Sequence, residues 1–447
     1  MFSNKNTLKM SPSKNSNESI IWLLLDTVII GGSILGQLFG PSNLIISALI
    51  CYLIMRLFFS SLINNFAILI FLVPNLGSTF IYIGTTSIPI LNLLICVALL
   101  KLCLTYFHDT VNKKVLLVAS VFVLYEWIHI FFYDVKTLAL LISWSAAVLY
   151  VFLLSIYCRS AYHHETVLKY FLAGVGISIV YGLLHFYNLY GTLLANNPTI
   201  RFKGAAGDSN YFAMYIMISM FSILYLINKK SSKWVQSIYP LLFLFYGAFG
   251  VLSLSRMFLL VVSFLMLVMV VKVFIGLRNN KKLFWFIIIL LLLIASFFLY
   301  FSEEINSVFS LFLSRFTDFL EDPSGLTSNR NVIAERYFDF IVSDFFSMLV
   351  GIGIQEYYIR SGVFLETHNI LLEILVVWGL VGFLIFGLFI ATIFKIVAVE
   401  RKISETSILG WLPIICMAVS YMSINAMSNE SFFLLVFFAI NHIYEFE

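Results

Sequence analysis

The sequence predicts an all-α polytopic membrane protein with about 12–14 transmembrane helices and one long extracytoplasmic loop that contains interfacial helices. Hydrophobic residues make up 61% of the chain and charged residues only 11%. Average soluble domains are roughly 45–50% apolar and about 25% charged. The mean hydropathy is +0.99, and repeated apolar runs of about 20 residues match the thickness of a bilayer core. One polar segment, 302–367, interrupts this pattern and defines the long loop.

The apolar runs predict fourteen spans, approximately 20–38, 43–59, 62–83, 88–107, 114–132, 137–157, 166–190, 211–228, 235–253, 257–275, 283–301, 368–394, 407–427 and 431–444. They group into four regions: N-terminal transmembrane helices (1–190), central transmembrane helices with arginine motifs (191–301), the extracytoplasmic loop with amphipathic helices (302–367) and C-terminal transmembrane helices (368–447). Lysines precede the first apolar run without a small-residue cleavage site, so we expect a start anchor rather than a removed signal peptide.

The basic residues predict the orientation. Lysines concentrate in 108–114, 228–233 and 276–282, and the positive-inside rule places these segments, with both termini, in the cytoplasm. The outer segments then contain Lys136, Lys203 and six arginines: Arg201, Arg256, Arg315, Arg330, Arg336 and Arg360. A guanidinium binds phosphate bidentately. Any one of these arginines can instead pair with an acidic residue of its loop, but the set as a whole predicts an anionic group bound at the outer face.

The long loop has its own helical patterns. An aromatic, amphipathic stretch over 306–320 is typical of a helix that lies in the membrane interface. After a turn-rich stretch, 330–346 has helical periodicity, with a predicted apolar stripe of Val332, Ile333, Tyr337, Phe340 and Ile341. Arg330 falls in the first turn, where its charge opposes the helix dipole. This position suggests a partner anion, whereas Arg336 and Asp339 have the spacing of a simple ion pair.

His368 lies at the start of the apolar run 370–382. The positive end of a helix dipole disfavours imidazolium, so the ring is expected to be neutral near pH 7. A neutral imidazole can take a proton from a sugar hydroxyl, and such general-base catalysis contributes about 10²–10⁴ in rate. Asn369 and Glu366 are candidates to orient the ring, and Glu373 follows on a nearby helix face. The alternative is a polar residue that only marks the membrane interface.

Polar residues inside apolar runs give weaker signals. Asp26, His185 and the i, i+3 pair Glu126 and His129 lie within predicted spans. Such groups are costly in a bilayer and are either functional or internally paired. None of the five cysteines forms a CxxC pair, so no disulfide framework or metal site is predicted. No P-loop, HExxH or dinucleotide-binding glycine motif occurs, so ATP-driven chemistry is not expected from this chain.

Several segments, in order, resemble the bacterial O-antigen ligase and polymerase superfamily, which includes Wzy-type polysaccharide polymerases. They are RFKGAAGDSNYFAMY (201–215), SLSRMFLL (253–260), TSNRNVIAERYFDF (327–340), LVGIGIQEYY (349–358) and THNILLEILVVWGLVG (367–382). They are similar to the family's arginine–glycine loop with its Asp-x-Asn turn, its Ser-Arg helix start, its loop arginine, and its Gly-x-Gly and His-Asn…Gly signature. The resemblance covers roughly residues 200–385.

The resemblance implies metal-independent glycosyl transfer without a cofactor, from a glycan carried on undecaprenyl diphosphate. From the positions of the matching residues, it implies that Arg201, Arg256 and Arg330 bind the diphosphate and that His368 activates the acceptor hydroxyl. The remaining candidate substrate-binding residues are Lys203, Asp208, Asn210, Arg336, Asn369 and Glu373. Asp208-Ser209-Asn210 departs from the proline that many relatives have in the middle position, and the sequence leaves open whether Arg330 or Arg336 takes the central role.

Three functions remain in competition. The first is an O-antigen or capsular polysaccharide polymerase that transfers lipid-linked oligosaccharide onto a lipid-linked repeat unit at the outer face of the cytoplasmic membrane. The second is a ligase with another acceptor, and the third is a lipid-linked oligosaccharide flippase. One asymmetric loop and the lack of an evident internal repeat favour an enzyme over a transporter. The expected partners are the lipid-linked oligosaccharide, membrane lipid and a chain-length regulator protein, with no nucleic acid.

Overall fold

The computed structural model describes residues 16–40, 43–83, 86–106, 113–132, 138–158, 164–193, 201–228, 233–263, 330–398, 402–403, 407–425 and 429–445. These residues are predominantly helical, which confirms the predicted all-α class. The predicted interfacial helix at 306–320, the span at 283–301 and most of the span at 257–275 lie outside the described residues.

The first helices in chain order are α1 (Ser16–Gly36), α2 (Asn43–Phe59), α3 (Leu62–Leu72), α4 (Ile90–Tyr106), α5 (Lys113–Trp127), α6 (Leu138–Tyr157), α7 (His164–Leu193), α8 (Ser209–Asn228) and α9 (Lys233–Leu252). Residues 256–263 are helical. The later helices are α10 (Arg330–Ser343), α11 (Phe345–Val350), α12 (Tyr357–Arg360), α13 (Ile370–Ala398), α14 (Ser407–Tyr421) and α15 (Ser431–Ile443). Within the described residues, five helices are long and apolar enough to cross a membrane, and shorter apolar helices accompany them. The chain is an integral membrane protein.

The end of the third predicted span differs from the expectation of a helix through residue 83. The α-helix ends at Leu72 and continues as a 3-10 helix (Val73–Ser78), followed by an antiparallel hairpin of β1 (Phe80–Ile83) and β2 (Thr86–Pro89). Asn75 donates from Nδ2 to the carbonyl oxygens of Phe71 and Gly174, at 3.1 and 3.0 Å. A short antiparallel pair, β3 (Lys402–Ile403) with β4 (Tyr444–Glu445), joins the ends of two later segments.

Aromatic side chains fill the centre of the bundle where α5, α6, α13 and α15 meet. The Phe122 ring lies 5.0 Å from both Trp378 and Phe389, measured between ring centroids. Trp144 and Phe433 pack edge to face at 5.6 Å. All of these side chains are buried. Edge-to-face and offset contacts of this kind add to the packing energy of the buried surface.

A kink in α13 joins the long loop to the bundle. Gly379 has a non-helical backbone, with φ 62° and ψ −168°. The carbonyl oxygens of Val376 and Val377 accept hydrogen bonds from the amides of Ile352 and Gly353, at 3.0 and 2.8 Å. A Cβ on Gly351 would lie 2.3 Å from the Val377 oxygen. The Gly-x-Gly segment of the loop (351–353) and Gly379 of α13 therefore allow the backbones of the loop and the helix to approach closely.

Glu126 fixes the same segment from α5. Its Oε1 accepts from the Ile354 amide at 3.0 Å, and its Oε2 accepts from Trp378 Nε1 at 2.6 Å. Nδ1 of His129 lies 3.8 Å from the same Oε2. Because Glu126 is buried and its carboxylate is bonded to Ile354 and Trp378, the structure supports the alternative that Glu126 is internally paired, with His129 buried beside it. Glu126 anchors the loop to the bundle.

Asp26 is also internally paired. Arg56 contacts both carboxylate oxygens, from Nε at 3.1 Å and from Nη2 at 3.2 Å. The hydroxyls of Tyr52 and Tyr170 each donate to the carboxylate at 2.5 Å, and the Arg56 guanidinium lies over the Trp22 ring. A buried charge with this many partners joins α1, α2 and α7. The remaining candidate of this type, His185, stacks on Tyr181 with ring centroids 5.9 Å apart.

Candidate functional site

The arginine–glycine loop forms a compact turn before α8. Arg201 donates from Nε to the Ser253 carbonyl at 3.0 Å and from Nη2 to Asn210 Oδ1 at 2.7 Å. The Asp208 side chain accepts from the Asn210 amide at 2.7 Å and from the Tyr211 amide at 3.2 Å, so it caps α8. These contacts bring the predicted Asp-x-Asn turn beside the end of α9 and the helical segment that begins at Arg256, while Lys203 is exposed.

The loop helix α10 begins at Arg330 and packs on the bundle through Ile333, Tyr337 and Ile341. The Tyr337 hydroxyl donates to the Leu365 carbonyl at 2.5 Å. Three members of the predicted stripe are buried, whereas Val332 is 43% exposed.

The predicted continuous helix over 330–346 was wrong at its end. The chain breaks at Asp344, whose carboxylate caps α11 by accepting from the amides of Phe346 and Ser347, at 3.1 and 3.3 Å. An aspartate at this position favours a new helix start over continuation because its side chain satisfies amides that a continuous helix would bond to its own carbonyls. Arg336 is exposed on α10.

His368 lies at the junction between the loop and α13, in a left-handed backbone conformation with φ 49°. Its amide donates to Asn425 Oδ1 at 2.8 Å. Asn369 caps α13 by accepting from the amides of Leu371 and Leu372, at 3.0 and 3.2 Å. Glu366 Oε2 accepts a hydrogen bond from Asn425 Nδ2. The two residues expected to orient the His368 ring therefore have these other contacts, and the ring is half-buried.

The charged side chains of these segments act on one another. Burial and the charge of Arg330 lower the pKa of His368, while Asp208 acts in the opposite direction. Burial and the charge of Arg256 lower the pKa of Arg330, again against Asp208. Burial and the charge of Asp208 raise the pKa of Glu366. We call these five residues, Asp208, Arg256, Arg330, Glu366 and His368, the charge cluster.

Glu373 differs from the members of this cluster in its burial. Its side chain is fully buried on the first turns of α13. Burial, followed by the charge of Glu373, raises the pKa of Tyr357. The Tyr357 hydroxyl lies 3.3 Å from Thr367 Oγ1 and accepts from the Thr367 amide at 3.2 Å. Glu373 therefore acts electrostatically on a tyrosine that is bonded to Thr367, next to His368.

The structure thus brings Asp208, Arg256, Arg330 and His368 together and places Arg201 and Asn210 in the adjoining turn. Sequence reasoning missed Asn425, which contacts both Glu366 and His368. The available signal was the polar stretch 423–430 between two apolar runs. Among the described residues, no group of three or more His, Cys, Asp or Glu side chains is arranged to hold a metal ion.

Residues 241–387 match the family model described as O-antigen ligase. The matched segment contains Arg256, Arg330 and His368 but neither the turn at 201–210 nor Asn425. The predicted resemblance to the O-antigen ligase and polymerase superfamily is confirmed by this match. No curated protein and no solved structure matches the chain.

Proposed function

From the match of residues 241–387 to the O-antigen ligase family model and from the charge cluster, we propose that this membrane protein is a polysaccharide polymerase. It transfers an undecaprenyl-diphosphate-linked oligosaccharide onto a lipid-linked repeat unit. The observation that carries the proposal is that Arg330 lies close enough to Arg256 and to His368 for Arg256 to lower the pKa of Arg330 and for Arg330 to lower the pKa of His368, each in addition to burial. The lysine-rich segments of the opposite side support its placement at the outer face of the cytoplasmic membrane.

The arginines stabilise the leaving group. As the bond between the sugar and the phosphate breaks, negative charge develops on the departing lipid diphosphate. Pre-placed donors at such a position stabilise the transition state more than water does, because they need no reorganisation. Burial and the charge of Arg256 lower the pKa of Arg330. A bound diphosphate would offset the repulsion between two neighbouring guanidinium groups.

His368 acts on the acceptor. The acceptor hydroxyl gives its proton to the neutral imidazole, its oxygen forms the new glycosidic bond, and the lipid diphosphate leaves with the electron pair of the broken bond. Because burial and the charge of Arg330 hold the pKa of His368 below its ordinary value, the ring is neutral and able to accept this proton at neutral pH. We assign Arg201 and Asn210 to the adjoining wall of the diphosphate site, where Arg201 is held by Ser253 and Asn210.

A ligase is the second candidate, because the matched family is described as O-antigen ligase. The two functions differ only in the acceptor. Purified full-length protein in liposomes with undecaprenyl-diphosphate-linked oligosaccharide as the only glycan separates them, with products resolved by gel and mass. A polymerase forms multimers from this donor alone, whereas a ligase forms products only after a different acceptor is added. No product with either acceptor would refute both.

Site variants test the roles in the same assay. We expect His368→Ala to lower the rate by about 10²–10⁴, the usual contribution of a general base. Arg330→Gln should lower it by about 10²–10³, as loss of one donor to a developing anion does. Arg336→Gln is the matched control, because Arg336 is exposed on the same helix, and we expect its rate to stay within about twofold of the wild-type rate. A large loss in Arg336→Gln with an active Arg330→Gln would reverse the assignment of the two arginines.

The partner proposal concerns product length. We propose that a separate chain-length regulator acts on this enzyme in the membrane. Multimers formed by the enzyme alone should then have a broad length distribution. A narrow distribution from the purified enzyme alone would show that it sets the length itself.

A further inference from the structure

Asn425 lies outside the matched family segment, in the connection between α14 and α15, yet it contacts the segment that carries His368. Its Oδ1 accepts from the His368 amide at 2.8 Å and lies 3.4 Å from Thr367 Oγ1, which donates to it. Its Nδ2 donates to Glu366 Oε2. One buried amide therefore binds three consecutive residues at the entrance to α13.

The connection that carries Asn425 is itself fixed at two points. The Tyr211 hydroxyl on α8 donates to the Asn425 carbonyl oxygen. Farther along, Glu430 is buried, and its Oε1 accepts from Asn92 Nδ2 at 2.8 Å and from Ser143 Oγ at 2.5 Å. The backbone of Asn425 is thus held by α8, and Glu430 of the same connection is bound to α4 and α6.

His368 requires such support because its backbone has φ 49°. A residue with a Cβ pays about 1–2 kcal/mol in the left-handed region, so the conformation persists only where other contacts determine it. The hydrogen bond from the His368 amide to Asn425 Oδ1 fixes this peptide group. The direction of the imidazole follows from the backbone conformation that the contact maintains.

We propose that Asn425 is a positioning residue that holds His368 in its working orientation by clamping residues 366–368. This inference rests on the proposed function, in which His368 takes a proton from the acceptor. The clamp also keeps the Glu366 carboxylate bound to Asn425 and away from the arginines that are to bind the diphosphate.

The test exchanges the amide and carboxylate groups of Asn425 and Glu366, which are bonded to each other. Asn425→Asp keeps an acceptor for the His368 amide but places two carboxylates together without a donor. The double variant Asn425→Asp with Glu366→Gln restores the pair, because the Gln amide group at 366 then donates to the new carboxylate. We expect kcat to fall by on the order of 10- to 100-fold in Asn425→Ala and Asn425→Asp, as misplacement of a catalytic group by about 1 Å does. KM should change by less than about threefold, and the double variant should recover most of kcat.

Asn429→Ala is the matched control. Asn429 lies in the same connection and caps α15 by accepting from the Ser431 amide at 3.0 Å. Asn429→Ala removes this helix cap and its contribution to stability, but it leaves the contacts of residues 366–368 unchanged. A double variant as inactive as Asn425→Asp, or a control that loses kcat as much as Asn425→Ala, would refute the positioning role.

A second readout does not depend on transfer activity. Diethyl pyrocarbonate reacts with neutral imidazole, and mass spectrometry follows its addition to His368. We expect the rate to rise at least about threefold in Asn425→Ala, because release of the segment exposes the half-buried ring. It should return to the wild-type value in the double variant. A wild-type rate in Asn425→Ala refutes the clamp, whereas an altered and restored rate in a protein without transfer activity refutes only the proposed reaction.

Discussion

Gly351 offers a sharp test of the contact between the loop and α13. Its φ is +81°, and an added Cβ would lie 2.3 Å from the Val377 carbonyl oxygen and 2.5 Å from the Trp378 nitrogen. Gly362 has a similar φ of +75°, but an added Cβ there meets nothing within 4 Å. Alanine at either position pays the left-handed penalty of about 1–2 kcal/mol. Gly351→Ala must in addition push the loop away from the helix.

The additional cost follows from the bonds that would break. The amides of Ile352 and Gly353 donate to the carbonyls of Val376 and Val377 at 3.0 and 2.8 Å. Each is worth about 0.5–1.5 kcal/mol net, so Gly351→Ala should open the loop by about 1–3 kcal/mol more than Gly362→Ala. This difference corresponds to about 5- to 150-fold in the open population.

Limited proteolysis of the purified protein in detergent measures that population when opening and closing are fast relative to cleavage. We expect faster cleavage within the loop for Gly351→Ala than for Gly362→Ala, in the calculated range. Equal cleavage rates in the two variants would show that the close approach of Gly351 to α13 does not hold the loop, and the reasoning would fail.

Two further predictions concern charge. Asp208→Asn should move the acidic limb of the kcat–pH profile to lower pH, and Arg330→Gln should move it to higher pH, because Asp208 raises and Arg330 lowers the pKa of His368 and the base works only when neutral. Saturating substrate removes effects on binding, and an asparagine at 208 still caps α8. Shifts of the two variants in the same direction would contradict the assignment of His368 as the base. Arg56→Met should destabilise the protein by about 3–5 kcal/mol, because it leaves buried Asp26 without its ion-pair partner. Tyr170→Phe should destabilise it by about 1–3 kcal/mol, because it removes one hydrogen bond to the same carboxylate. Thermal unfolding in detergent measures both changes, and equal stability of the two variants would contradict this order.

Local pattern was sufficient for most helices. The apolar runs predicted α2 with its observed bounds and α4 to α9 within several residues, because span length and hydropathy are properties of contiguous sequence. The end of α3 and the break before α11 were missed, because they depend on side chains that satisfy backbone groups locally: Asn75 at the end of α3 and Asp344 before α11. The composition of those stretches does not specify these contacts.

The residue types of the candidate site could be predicted from the sequence, but the contacts that hold these residues in place could not. Arginines without lysine in the long loop, together with His368 before an apolar run, indicated an anion site with a base. The contact of His368 with Asn425 joins residues 57 positions apart, and no periodicity connects them. Similarly, Asn369 was expected to orient the ring, but the three residues that follow it begin a helix whose amides it caps. Competition between such partners is decided only by the folded chain.

The kink at Gly379 has a consequence for how the protein enters the membrane. Helix α13 has 29 residues, about 43 Å at 1.5 Å per residue, and a lipid-exposed carbonyl without a partner costs several kcal/mol. The carbonyls of Val376 and Val377 find their partners in residues 352 and 353, which precede the helix in the chain and are therefore synthesised first. We therefore expect that, during biogenesis, this part of the helix is stable in lipid only after the preceding loop has folded back onto it. Insertion of the helix and docking of the loop are then expected to be cooperative, and a nascent chain arrested between them should be a substrate for membrane quality control.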